Sequence, residues 1–124
     1  MDLAYHYTHW NVEPHVRDKA EDVRARFGGS WNTYFDHPPG YGLDAISVDH
    51  WSASGRGAAL GEHDGDAMVG WILGQWAPDE IQWLIWWGWI WTPDARWQPY
   101  EGWQGYHRGP DAHIHITYDS EVDF

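Results

Sequence analysis

The chain contains no cysteine. Disulfide frameworks, thiolate nucleophiles and cysteine-bound metals are therefore excluded, and any metal site must be built from His, Asp and Glu. Basic residues are scarce as well: seven Lys and Arg stand against nineteen Asp and Glu, a formal net charge of −12. Nucleic acids and anionic membrane surfaces both need basic side chains to meet their phosphates, so this balance disfavours them and favours cationic ligands or metal ions. Long apolar runs are missing too. The most apolar stretch, Ile81 to Trp91, has about half of the roughly 20 residues that a membrane-spanning helix needs. The opening Met1-Asp2-Leu3-Ala4-Tyr5-His6 has neither the basic start nor the apolar centre of a signal peptide. The expectation is a protein kept in the cytosol, one that leaves by another route, or a domain excised from a longer chain.

What is present is aromatic. Twelve Trp and seven Tyr stand beside only three Phe and two Met in 124 residues, a length that predicts one domain, 1–124, with a single modest core. Trp and Tyr combine a large apolar ring with a polar edge, which suits a small core that also lines a groove. Sugar or peptide recognition and a plain Trp-rich core are both consistent with that composition.

The order of elements follows from periodicity. Asn11 is placed to cap a helix with Pro14 in its first turn, running to Phe27 and stopping at Gly28-Gly29, with Val12, Val16, Ala20, Val23 and Phe27 on one stripe. Ser30 to Phe35 reads as a short strand, and Asp36 to Gly42 as a turn forced by two prolines and two glycines. Leu43 to Asp49 alternates as a strand, and Trp51 to Gly61 is a small-residue loop. A second helix is expected over Gly65 to Gln75, with Asp64 as its cap and Ala67, Met68, Trp71, Ile72 and Gln75 on its face. Pro78 ends it. Ile81 to Trp87 reads as a central strand covered on both faces, interrupted by Gly88 before Trp89-Ile90-Trp91. Thr92 to Asp111 is expected to be a long aromatic loop walling a groove. Helices and strands do not alternate strictly, so the fold class is α+β, a largely antiparallel sheet with two main helices.

The chemistry concentrates near the end, in Ala112-His113-Ile114-His115-Ile116-Thr117-Tyr118. Its period of two is that of a half-buried strand, which puts His113 and His115 side by side on one face. Imidazole is the commonest protein ligand for zinc, and a catalytic zinc needs three protein ligands with one position open to water. His37, at the mouth of the Pro/Gly turn, and Asp44, seven residues later, are the partners that with His115 would complete such a set. Taken singly, each has a plainer reading: a chance H-x-H, a loop histidine, a hydrogen-bonding aspartate. Glu62-His63-Asp64 is a weaker cluster beside a helix start.

His37-Pro38-Pro39-Gly40-Tyr41-Gly42-Leu43-Asp44, followed much later by His113-Ile114-His115, resembles the H-x-x-G-x-x-x-D…H-x-H signature of the LAS zinc peptidases. That group comprises lysostaphin, the D-Ala-D-Ala metallopeptidases and sonic hedgehog. The chain looks most like the bacterial D-alanyl-D-alanine carboxypeptidase-like branch, through Asp36-His37, Leu84-Ile85-Trp86, Trp97-Gln98-Pro99-Tyr100, and His107 with Asp111 before His113. The resemblance spans about residues 27–118. It implies a hedgehog/D-Ala-D-Ala peptidase-like fold and Zn2+ held by His37, Asp44 and His115. It further implies a peptidase or amidase acting on peptidoglycan peptides, at the wall of a bacterium or during phage lysis, with metal-bound hydroxide attacking the scissile carbonyl. His113 would stabilise the oxyanion or position the water. The family's general-base Glu lies three residues before the last ligand. That position is Ala112 here, so Asp111 and His113 are the candidates for proton transfer. The aromatic residues Tyr34, Trp97, Tyr100 and Trp103 would bind substrate. No Arg precedes His37 to hold a substrate carboxylate, which leaves endo- and carboxypeptidase action both open. The alternative is a non-catalytic module on the same scaffold, zinc-containing or metal-free, whose tryptophans bind glycan or protein.

Overall fold

The computed structural model describes residues 12–29, 31–32, 47–50, 62–101 and 112–119. Over these the protein is α+β: two helices lie against one face of a six-stranded sheet in which every neighbouring pair is antiparallel. In chain order the elements are α1 (Pro14–Phe27), β1 (Trp31–Asn32), β2 (Ser47–His50), α2 (Glu62–Trp76), β3 (Ile81–Trp86), β4 (Trp89–Thr92), β5 (Arg96–Pro99) and β6 (Ile114–Tyr118). Across the sheet the order is β1-β2-β6-β3-β4-β5. The last strand thus sits between β2 and β3, which run parallel to each other because each opposes β6, and which α2 connects. This is a split β-α-β unit.

Helix α1 begins one residue after Glu13 rather than at an Asn11 cap. Pro14 supplies the helical φ, and the Glu13 carbonyl accepts from the amides of Val16 and Arg17, both at 3.0 Å. Gly28 ends the helix with φ 77°, its N–H reaching the Arg24 carbonyl at 2.8 Å, while Arg24 and Arg26 complement the C-terminal dipole. The expected stripe is buried: Val16, Ala20 and Val23 are inaccessible, with Val12 and Phe27 packed at its rim. Lys19 shares that stripe and is also buried. Its stem runs past the Trp76 and Tyr118 rings, at 6.0 and 5.9 Å, to an ion pair with Glu80 at 3.3 Å and a contact with His15 Nδ1 at 3.0 Å.

Helix α2 corrects two expectations. It starts at Glu62, so Asp64 lies within its first turn, exposed, instead of capping it. Its buried face is Gly65, Met68, Val69 and Ile72, whereas Ala67 and Gln75 face solvent. The helix is turned because Trp86 of β3 must lie flat against it at Gly65, where a Cβ would enter the indole ring. The same indole donates to Asp66 Oδ1 at 2.9 Å. A chain of edge-to-face rings then joins the layers: Phe27 to Trp71 at 5.8 Å, Trp71 to Trp76 at 5.5 Å, and Trp76 to Tyr118 at 5.8 Å.

Strand β3 is central, as its composition predicts, and Trp87-Gly88 turn it tightly into β4 with both φ values positive, 52° and 84°. An irregularity between Ile81 and Trp83 in the pairing with β6 inserts one residue. It reverses the alternation, so Ile81 joins Leu84 and Trp86 in the core while Trp83 and Ile85 stay on the other face. The expected long loop from Thr92 is corrected in its first half: Arg96–Pro99 form β5 on β4. Pro93 and the Thr92 hydroxyl, which accepts from Ala95 N–H at 3.2 Å, make the turn between them. Single-residue alternation in Arg96–Pro99 is too short and polar to announce a strand.

Two predictions follow from this packing. Gly65→Ala gains roughly 1 kcal/mol of helix propensity but must displace a buried, hydrogen-bonded indole, an overpacking cost of about 1–3 kcal/mol. The clash therefore outweighs propensity, and the melting temperature falls. Gly74→Ala on the same helix meets open space and raises it. Thermal melts of the pair are expected to move in opposite directions, and a stabilised Gly65→Ala would contradict the Trp86 contact. Asp119, just past β6, has its carboxyl pushed above the usual 3.8 by burial first and the Asp79 and Glu80 charges, against His15 and a hydrogen bond from Gln82. The folded state then holds the proton more tightly than the unfolded one, so stability falls as pH rises from about 3.8 through the folded value. Asp119→Asn is expected to melt higher than wild type at pH 7 and equally at pH 3. A variant no more stable at pH 7 would refute this.

Candidate metal centre and an aromatic groove

Strand β6 has two unlike faces. Ile114, Ile116 and Tyr118 are fully buried against the helices. His115 and Thr117 alternate with them and belong to the opposite face, on a strand paired on both sides there, whereas His113 lies one residue before the strand begins at Ile114. His113 is buried at 8% exposure and Thr117 at 0%, while His115 is half-buried. The Thr117 hydroxyl lies 3.0 Å from His115 Nε2 and holds the ring. In register, His115 is flanked by Ile85 of β3 and Asp49 of β2. Asp49 had only the appearance of a strand end in the sequence; its position beside His115 depends on which strand pairs with which, and local pattern does not encode that.

Of the residues expected to form the site, His37, Asp44, Tyr34, Trp103 and Asp111 lie outside the described residues. Among the described residues no group of three His, Asp or Glu gathers around one point. The part that is described fits zinc in kind: an imidazole on a central strand, His115, set beside a hydroxyl, with a second, His113, buried just before that strand. Trp97 and Tyr100 are elsewhere. Tyr100 continues β5, its N–H bonded to the Gly88 carbonyl at 2.8 Å. Trp97 pairs with Trp91 across β4 and belongs to the helix side of the sheet, the face opposite His115.

On that side, beyond the shoulder of α2, the outer strands are bare. A groove of about 540 Å³ is lined by Asp66, Val69, Gly70 and Leu73 of α2 and by Trp86, Trp87, Trp89 and Trp97. Trp89 and Trp97 are 47% and 41% exposed, the large apolar side chains most open to solvent among the described residues.

The chain matches no family model, no curated protein and no solved structure. No described helix is long and apolar enough to cross a membrane.

The hydroxyl of Thr117 can be removed without altering shape. Thr117→Val is expected to cost about 1 kcal/mol and to shift the His115 ring ¹⁵N resonances, since Nε2 loses its partner. Unchanged ring resonances would show that the hydroxyl does not hold the imidazole.

Proposed function

We propose that the protein is a zinc-dependent peptidase or amidase that cleaves peptide bonds of cell-wall peptidoglycan. One observation supports this above the others: His115 is fixed on the central strand by paired neighbours on both sides, and His113 is buried two residues before it, just ahead of that strand. On this reading His115 holds the metal with His37 and Asp44, and Thr117 sets the angle of the His115 ring. Zinc held there would polarise the scissile carbonyl and make a water acidic enough to react near neutral pH. His113, buried two residues away, serves the charge that develops on the carbonyl oxygen, or carries the proton to the leaving amine; Asp111 is the second candidate for the proton. Burial of His113 and Thr117 limits water around these groups, which strengthens such electrostatic help.

The second reading, a non-catalytic binding module, is favoured by the open tryptophans of the groove on the other face, because exposed Trp of this extent is a recognition feature.

Zinc content of the purified chain and release of peptide fragments from peptidoglycan separate the two. Wild type is expected to hold one zinc per chain and to release fragments. His115→Ala is expected to lose the metal and all release. His113→Ala is expected to keep zinc and lose about 10²-fold or more in rate. Wild type without stoichiometric zinc would overturn the metal centre, and zinc without fragment release would favour the binding module.

A further inference from the structure

The groove between α2 and the outer strands has an unusual lining. Among the described residues four of the eight that line it are Trp, and the only charged group is the Asp66 carboxylate. That carboxylate is fixed in place by the indole N–H of Trp86 at 2.9 Å. Along the chain, the segment that supplies α2 and the Trp86–Trp89 wall is acidic: from Gly61 to Ala95 the sequence holds six Asp and Glu and no Lys or Arg. Arg96 follows it and lies over the Trp91 ring at 5.7 Å. Indole faces carry negative potential, so tryptophans grouped about a carboxylate select for positive charge.

The geometry points to a binding site for a small quaternary ammonium compound of the choline type. A sugar is a poorer occupant, since the described lining residues include no Asn, Gln, Ser, Thr, Arg or Lys, and recognition of hydroxyls depends on such partners. A primary ammonium is strongly hydrated and needs three acceptors, whereas a methylated one needs aromatic faces and one counter-charge. A volume of about 540 Å³ lies in the range of small-molecule sites and leaves room for the rest of such a ligand. The site is independent of the proposed metal centre, because it occupies the helix side of the sheet and His115 the other.

Calorimetric titration of the full chain with choline chloride tests this, beside the uncharged isostere 3,3-dimethylbutan-1-ol, a cello-oligosaccharide and a trimethyllysine peptide. Choline is expected to bind saturably and the neutral isostere roughly tenfold more weakly, the loss of the cation–π term at a partly desolvated site. Asp66→Asn keeps an acceptor for Trp86 and is expected to weaken choline several-fold. Trp97→Ala, on the exposed edge strand, is expected to abolish binding while leaving the melting temperature within a few degrees, and Trp89→Ala serves if it does not. Absence of choline binding, equal affinity for the neutral isostere, or indifference to both Trp substitutions would overturn the assignment. Tighter binding of the oligosaccharide or of the peptide would replace the small-molecule cation with that ligand.

Discussion

Everything described depends on the pairing of β6 with β2 on one side and β3 on the other. Without it, β1-β2 and β3-β4-β5 are two separate ribbons, and short antiparallel ribbons are marginal in water. With it, they become one six-stranded sheet. Register is enforced by burial: Ile116 meets Val48 on one flank and Leu84 on the other, all three inaccessible. A slip of one residue would send the isoleucines outward and His115 into the core. The alternation that makes β6 fold in register is therefore the same alternation that sets His115 and Thr117 together on the face away from the helices.

The helix side of this sheet is closed by rings more than by aliphatic side chains. Edge-to-face contacts run from Phe27 through Trp71 and Trp76 to Tyr118, and Trp86 fills the space that Gly65 leaves open. The polar parts of this side are less comfortable. Among the described residues the Tyr118 hydroxyl is buried and has no hydrogen-bond partner; burial, reinforced by Asp22 and Glu80, pushes its pKa far up. Lys19 nearby is buried but paired with Glu80 and His15. A buried ammonium held by two partners and flanked by two rings fixes how α1, β6 and the end of α2 meet, although removing the charge altogether would not have to cost stability.

Much of the fold was legible because it rests on local pattern. The stripe of Val16, Ala20 and Val23 and the stops at Pro14 and Gly28 specify α1; the near-continuous apolar run of β3 and the Trp87-Gly88 turn specify a hairpin. The failures share one cause, long-range packing. The face of α2 is set by Trp86 meeting Gly65, twenty-one residues apart in sequence, so Ala67 and Gln75 were placed inward by periodicity and lie outward. β5 forms because β4 offers an edge, not because Arg96-Trp97-Gln98-Pro99 carries strand character of its own. Of the candidate site, the placement of His115 on the face away from the isoleucines was readable from alternation alone, while its neighbours needed the pairing of β2 with β6. The groove was only half visible: the aromatic abundance was consistent with a groove wall and with a plain Trp-rich core alike, and α2 as its opposite wall did not appear in any spacing.

The two faces of the sheet also answer different physical demands. A catalytic centre needs side chains whose positions do not drift, and that favours the middle of a sheet, where each residue is bonded on both sides and its neighbours are buried. A recognition groove must be open, and that favours the sheet edge, where β4 and β5 run out past the end of helical cover. The strand order β1-β2-β6-β3-β4-β5 satisfies both at once. It puts the histidine strand third, with two strands on one flank and three on the other, and leaves the tryptophan strands outermost. His115 is brought beside Ile85 and the Asp49 register position only when β6 has paired with both β3 and β2. Closure of the core and the placement of His115 are thus one event, and a change that loosens Ile114 or Ile116 displaces the imidazole without touching it.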